Sequence, residues 1–265
     1  MKIVVCIKQV PQTTNVKIDP ETNTLVRQGV ESQINPFDLY ALEEAVRVKE
    51  RLAAQGEEST VTVISMGPPQ VMDALREAIT LGADEAILLS DRAFAGADTW
   101  ATSYALAAAI KELAAGLVFC GMQAIDGDTA QTGPGITIHC DLALATYVSK
   151  IDEISPKKAT VRRLLEDGYE LCEIALPALF TVVKEINEPR TPSLRGKMKA
   201  KSAQIPVWTV ASLGLDPDKC GLKGSPTQVV KVFSPEHRAG GERWDGDASD
   251  LAAKMLEIMR ERVTV

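Results

Sequence analysis

The sequence predicts an α/β protein organised around a mostly parallel β-sheet, and two observations carry that expectation. Short apolar runs of the parallel-strand type (KIVVCIK, STVTVISMG, EAILLS, LVFC) alternate with amphipathic segments of helical length through the first two-thirds of the chain. Strands alternating with helices of roughly ten to fifteen residues are the mark of βαβ units. The composition agrees: 45% hydrophobic and 25% charged residues provide a substantial core. Aromatics make up only 5%, so Val, Ile, Leu and Ala must pack it. A chain of 265 residues makes one large domain, or one domain with an appendage.

The elements follow in order. After KIVVCIK, the connection QVPQTTNVKIDPETNTLVRQG reads as a hairpin excursion. NPFDLYALEEAVRVKERLAA begins with strong helix punctuation: Asn35 as cap, Pro36 at the first helical position, Asp38 in the first turn. Leu39, Leu42, Ala45, Val46, Lys49 and Leu52 then recur at helical spacing, so one stripe faces a core. STVTVISMG is the next strand and PPQVMDALREAITLG the next helix, closed by Gly82 as the residue past its end. EAILLS is a strand, and Asp98 caps the alanine-rich TWATSYALAAAIKELAA, which suits close packing on a sheet. LVFC is the fourth strand of this series.

After about Thr146 the pattern changes. YVSKIDEI, KATVRRLLEDGYELCEI and ALFTVVKEI read as antiparallel β-structure. Asn187 to Val207 is a basic segment punctuated by three prolines. Beyond it the chain runs through the Gly-rich HRAGGERWDGD to a final amphipathic helix, Leu251 to Arg262. The tail after Lys231 has too little periodic apolar sequence for a domain. It nevertheless carries Phe233, Trp244, Leu251 and Met255, which call for a partner surface.

Several functions are excluded on chemical grounds. A net charge of −7 argues against nucleic-acid binding, which requires an excess of Lys and Arg. No apolar run approaches the roughly 18 residues needed to span a bilayer, and Met1-Lys2 leads straight into a strand rather than a secretory segment, so a cytoplasmic protein is expected. Cys6, Cys120, Cys140, Cys172 and Cys220 lie far apart without a C-x-x-C spacing, and read as reduced and mostly buried. With only His139 and His237 beside them, they make no usual zinc site. No nucleophile–base pair of a hydrolase can be assembled from those two histidines, so any chemistry belongs to a bound cofactor.

In an open parallel sheet, ligands bind beyond the carboxyl ends of the strands. Five segments should arrive there. Cys6, Ile7 and Lys8 follow the first strand; Asn35, Pro36, Phe37 and Asp38 start a helix; Ser65, Met66 and Gly67 follow the next strand. Asp91, Arg92, Phe94, Gly96, Ala97, Asp98 and Thr99 belong to the connection DRAFAGADT. The fifth is GMQAIDGDTAQT: Gly121, Met122, Gln123, Ala124, Ile125 and Asp126, then Gly127, Asp128, Thr129, Ala130, Gln131 and Thr132. Small residues and helix N-termini offer backbone N–H groups to an anion, most simply the phosphate of a nucleotide. A solvated turn leading into a helix accounts for the same composition equally well. Asp126 and Asp128 suit a metal pair, although glycine-spaced aspartates are more often turn formers. There is neither a P-loop nor a G-x-G-x-x-G fingerprint, and IKQVPQTT stands where an ATP-using amidase or synthetase would carry its pyrophosphate loop.

The motifs NPFDLYALEEAVRVKE, GADEAILLS, CGMQAIDGDTAQTGPG, LPALFTVVKEINEPRTPSL and KMKAK, in this order over about residues 3–210, resemble the β subunit of electron-transfer flavoproteins. The resemblance implies a three-layer, Rossmann-like sandwich of adenine-nucleotide hydrolase type, with an antiparallel β excursion and a C-terminal arm. Residues 1–210 would form the nucleotide-binding domain, including a recognition loop at 187–197. Residues 211–265 would form an arm and helix packed on an electron-transfer flavoprotein α subunit. It further implies that Gly121 to Thr132 cradle the phosphates and ribose of a nucleotide, with Cys6, Asn35 to Asp38 and Met66 on the adenosine side and Phe37 near the α-subunit flavin.

The stretches VVCIKQVPQTT, KIDPETNTLVRQGV, DRAFAGADTWATS, RGKMKAKSAQIPVWT and GSPTQV resemble the electron-bifurcating branch. There the nucleotide is FAD, reduced by NADH, with electrons passed to an acyl-CoA dehydrogenase of crotonyl-CoA type and to ferredoxin or flavodoxin. In simple carriers it is a structural AMP. Arg92 and Phe94 would then wall the flavin ring. Met122 stands where a basic residue is common, so its phosphate contact would fall to backbone N–H groups or to the partner. Leu194, flanked by Arg195 and Lys197, matches the residue that anchors in the dehydrogenase.

Overall fold

In this computed structural model, residues 1–12, 31–231 and 240–262 are described. Most of KIDPETNTLVRQGV's connection, Phe233 and His237 lie outside the described residues. The chain divides into two compact units, Met1–Val230 and Lys231–Val265.

The first unit contains a nine-stranded sheet. Its strands are β1 (Lys2–Cys6), β4 (Thr60–Met66), β5 (Glu85–Leu89), β6 (Leu117–Gly121), β7 (Ala143–Ile154), β8 (Lys158–Leu164), β9 (Tyr169–Ala175), β10 (Ala178–Val182) and β11 (Val207–Trp208). The order is β11-β5-β4-β1-β6-β10-β7-β8-β9. Every pairing from β11 to β7 is parallel, and only β7-β8 and β8-β9 are antiparallel. A separate antiparallel pair, β2 (Gln9–Pro11) with β3 (Ser32–Ile34), forms the described base of the N-terminal excursion.

One expectation is corrected here. ALFTV does not continue the antiparallel excursion; as β10 it inserts between β6 and β7 as a parallel strand, buried along its whole length. A continuous apolar run without alternation is the signature of a strand covered on both faces, and that feature overrides its place in the chain.

The helices α1 (Pro36–Ala54) and α2 (Met72–Thr80) cover one face; α3 (Thr99–Glu112) and α4 (Thr132–Cys140) cover the other. Strand side chains alternate between the two cores. Ile3, Val5, Val63, Phe119 and Phe180 meet Leu42, Ala45, Leu75 and Ile79 on the first face. Val4, Ile64, Val118 and Leu179 meet Ala105, Leu106, Ala109 and Ile136 on the second. The result is a three-layer sandwich. Gly82, with φ of +119°, takes the left-handed position that ends α2.

The predicted stripe on α1 is wider than its apolar residues, because Glu43 and Glu44 are buried too. Arg190 donates to Glu43 at 2.7 Å and to Glu50 at 2.8 Å, so the basic segment is docked on α1 rather than solvated throughout. Its second half is not a loop: α5 (Leu194–Ser202) begins at Leu194, capped by Ser193, which accepts from the Gly196 N–H at 2.9 Å. α5 packs on α2, where Arg76 donates to the Ala200 carbonyl at 2.7 Å. The boundary expected at residue 210 is also displaced. Val210 and Cys220 are buried in the core on the α3 side, so residues 211–230 belong with the first unit.

The second unit contains α6 (Ala248–Arg262), on which Met255, Leu256 and Met259 are exposed. Lys254 lies over the Trp244 ring at 4.3 Å, an exposed cation–π contact. No helix among the described residues is long and apolar enough to cross a membrane.

Candidate nucleotide site

The chain leaves β1 for α1 on one face and leaves β6 for α4 on the other, while β1 and β6 are neighbours. Their carboxyl ends therefore form the switch point of the sheet, where diverging loops open a crevice. The structure brings together there the segments expected from the sequence, through three tight connections.

The first is Asn35. It occupies the N-cap position of α1 but makes no side-chain cap. Its amide instead crosses the crevice, donating to the Gln123 carbonyl at 2.8 Å and accepting from the Ile125 N–H at 3.1 Å. The expected capping role gives way because a fully buried amide needs both its donor and acceptor satisfied, and the loop after β6 supplies both.

The second is Asp38, only 6% exposed. One carboxylate oxygen accepts from the Lys8 N–H at 2.7 Å, the other from the Gly121 N–H at 3.2 Å. Burial raises its pKa to about 7, although hydrogen bonds from Asn35, Lys8 and Gly121 pull the other way. Asp38 thus straps the exits of β1 and β6 to the start of α1. The third is Gly121 itself. A Cβ there would lie 2.5 Å from Asp38 Oδ1 and 2.7 Å from the Phe37 carbonyl carbon, so only glycine allows this approach.

Beyond Gly121 the loop is shaped by strain. The Met122 N–H donates to the Val182 carbonyl at 3.0 Å, fixing where the loop starts. Asp128 and Ala130 both have left-handed φ, +52° and +54°, which costs L-residues energy and clusters at functional sites. Gln131 then returns to right-handed geometry at φ −99°, ψ −24°. A left-handed residue followed by a right-handed one turns successive N–H groups toward a common point, the arrangement that receives anions. The N–H groups of Thr129, Ala130, Gln131 and Thr132 have no protein acceptor among the described residues. They open directly into the first turn of α4.

The Lys8 ammonium, 2.6 Å from Asp126, stands at the same mouth. Asp126 pairs with Lys8, and Asp128 takes a left-handed turn position.

On the α3 side, Asp98 caps the helix as expected, accepting from the Trp100 and Ala101 N–H groups at 2.9 and 3.0 Å. The Thr99 hydroxyl lies 2.9 Å from Gln131 Oε1, which joins the N-termini of α3 and α4. Cys6 and Cys120, in register on β1 and β6, form the buried floor, with the partly buried Met66 on the same core. The Cys120 thiol hydrogen bond and burial raise the Cys6 pKa well above its ordinary value, so it is a neutral packing group rather than a nucleophile.

One expectation about DRAFAGADT changes. Phe94 is 6% exposed and belongs to the apolar core, so it offers no wall to a ring in the crevice. A single 3₁₀ turn at Arg92–Phe94 is responsible, turning the ring inward while leaving Arg92 exposed. The connection is also held by residues that the sequence did not mark as site residues, Val210, Leu222, Ser225 and Thr227. Ser225 and Thr227 fall in the GSPTQV motif, but no local signal shows which segment they contact, since it lies more than a hundred positions away. Leu194, by contrast, is 77% exposed at the first position of α5, beside the exposed Arg195 and Lys197.

This fold and site define a class: Rossmann-like α/β proteins with a left-handed loop leading into a helix N-terminus at the switch point of a parallel sheet. The family model for the electron transfer flavoprotein domain matches residues 22–213. The electron transfer flavoprotein subunit beta of Thermoanaerobacterium thermosaccharolyticum is 49% identical over 263 residues, covering 99% of each chain. The caffeyl-CoA reductase-Etf complex subunit CarD of Acetobacterium woodii is 49% identical over 264 residues, again 99% of each. Protein FixA of Azotobacter vinelandii is 46% identical over 267 residues, 97% of this chain and 93% of its own. The chain belongs to the electron transfer flavoprotein family, as a β subunit.

Proposed function

We propose that this β subunit holds FAD in the crevice, pairs with an electron-transfer flavoprotein α subunit, and receives electrons from NADH. It passes them to an acyl-CoA dehydrogenase of crotonyl-CoA type and to ferredoxin or flavodoxin. The observation that carries the reading is the left-handed loop at Asp128–Gln131, whose N–H groups have no protein acceptor among the described residues and lead into the first turn of α4. Strain of this kind persists only where the surrounding structure holds it, and here it produces an anion receptor. The set fits a pyrophosphate: backbone donors from Thr129 to Thr132, a helix N-terminus, and the Lys8 ammonium at the mouth. Those donors answer the absence of a cation at Met122, each helix N-terminus favouring an anion by about 0.3–1 kcal/mol. The similarity to a subunit of a caffeyl-CoA reductase-Etf complex supports a partner enzyme that acts on an acyl-CoA.

A flavin bound here would supply the acceptance of hydride. The chain's own residues would bind its phosphates, position the loop after β6 through Asn35 and Asp38, and present a buried floor at Cys6 and Cys120.

A second reading, a simple carrier with AMP, draws support from Phe94, because a buried Phe94 removes one wall expected for a flavin ring. The deciding measurement is the absorbance spectrum and nucleotide content of the purified heterodimer. Two FAD per heterodimer supports the first reading; one FAD with one AMP replaces it by the second. For the outer partner, Leu194→Ala should leave folding stability within about 0.5 kcal/mol. It should weaken dehydrogenase docking by about 2 kcal/mol while NADH-driven flavin reduction continues. Equal loss of both activities would refute a docking role.

A further inference from the structure

The GSPTQV stretch is unused by the reading above, yet the structure places it against the crevice. Asp98 is where it lands. One Asp98 carboxylate oxygen caps α3, and the other accepts from the Thr227 N–H at 3.0 Å and the Thr227 hydroxyl at 2.9 Å. The Asp98 N–H donates to Ser225 Oγ at 2.8 Å, and the Ser225 hydroxyl donates onward to the Gly221 carbonyl at 2.7 Å. Three further bonds close the connection from behind. The Leu222 N–H donates to the Ala95 carbonyl at 3.0 Å, the Val210 N–H to Asp91 at 3.2 Å, and the Ala93 N–H to Asp91 at 3.0 Å.

The fit is close. Gly221 has φ of +55°, and a Cβ on it would lie 2.2 Å from the Ala93 carbonyl oxygen. Burial would raise the Asp98 pKa, but the hydrogen bonds from Ala101, Thr227 and Trp100 together outweigh it and hold the group ionised.

We propose that Ser225 and Thr227 are positioning residues of the nucleotide site, acting through Asp98 to fix the N-terminus of α3. The path is contiguous: Thr227 to Asp98, Asp98 to the first turn of α3, and Thr99 to Gln131 in the anion-receptive loop. Thr227 lies a few residues before Lys231, where the second compact unit begins. An ionised carboxylate shared between a helix cap and a remote segment ties the two together, because the remote segment contributes two charge-assisted hydrogen bonds to it. This inference rests on the nucleotide reading of the crevice.

The test uses the full chain purified with its α subunit, as wild type, Ser225→Ala/Thr227→Val, Thr227→Ser and Gly221→Ala. Hydrogen–deuterium exchange should rise about tenfold across residues 91–101 in the double variant. Gly221→Ala should do the same by steric displacement, and Thr227→Ser, which keeps both donors, should match wild type. In both disrupted variants, affinity for FAD or AMP added to stripped protein should fall about tenfold while exchange in β7–β9 stays unchanged. Unchanged exchange at 91–101 overturns the brace. Faster exchange with unchanged nucleotide affinity shows a segment that only stabilises the fold, and overturns the positioning role. If the wild type itself takes up neither FAD nor AMP, the nucleotide reading fails and the positioning role with it. The exchange result would then report on the brace alone.

Discussion

Replacing Asp38 by asparagine should change how the protein's stability depends on pH. The Asp38 carboxyl is 6% exposed, and burial moves its pKa from 3.8 to about 7. Between those values the unfolded chain has released this proton and the folded chain still holds it. The folded state therefore loses relative stability as pH rises through that window. A shift of about three units corresponds to roughly 4 kcal/mol in total, or about 1.4 kcal/mol per pH unit. Asp38→Asn cannot titrate. Its own cost, an amide N–H facing the Lys8 or Gly121 N–H, is a nearly constant offset of about 1–3 kcal/mol.

The difference in unfolding free energy, wild type minus variant, should thus fall by about 2 kcal/mol from about pH 5.5 to about pH 7, then level off. Urea unfolding of the full chain across that range measures it. Glu44 and Glu77, raised by burial, and Asp84, lowered because its bonds with Lys49 and Val61 outweigh burial, titrate in both proteins and cancel. A difference that is flat, or that grows with pH, would refute the assignment of Asp38 as a desolvated strap.

Gly121→Ala should destabilise by about 1–3 kcal/mol, since its Cβ would press on Asp38 and on the Phe37 backbone; an unchanged thermal midpoint would contradict the close approach. Ala130→Gly should stabilise by about 0.5–1 kcal/mol by relieving a left-handed φ, and a loss of stability in chemical unfolding would show that the loop is not strained. Arg190→Ala should cost about 1–3 kcal/mol at neutral pH, because Glu43, 4% exposed, keeps only Arg47 and the backbone N–H of residue 190. Burial raises the Glu43 pKa, but its bonds with Arg190 and Arg47 outweigh that and hold it below 4.5. Its contribution is therefore present above that pH and lost as pH falls, so an Arg190→Ala penalty that grows in acid would refute the pairing.

Much of the fold was legible in the chain because local physics specified it. Apolar runs alternating with helical stripes, Pro36 at a helix start, Gly82 past a helix end and Asp98 as a cap all describe interactions within a few residues. The candidate site was legible as a set of segments, since the exits of parallel strands converge wherever βαβ units repeat. Its geometry was not. Asn35 and Asp38 looked like helix punctuation, yet both turn across the crevice to the β6 exit, some ninety positions away. Phe94 looked available to a ligand and was drawn into the core by one 3₁₀ turn. ALFTV looked like another hairpin strand until its insertion between β6 and β7.

The sequence by itself determined most of the elements and the family they belong to, because propensity, periodicity and motif order are properties of neighbouring residues. Only the tertiary structure decided what each buried polar group would face. A desolvated carboxylate or amide must find its partners wherever the packed chain brings them, and in this protein they lie on the far side of a crevice.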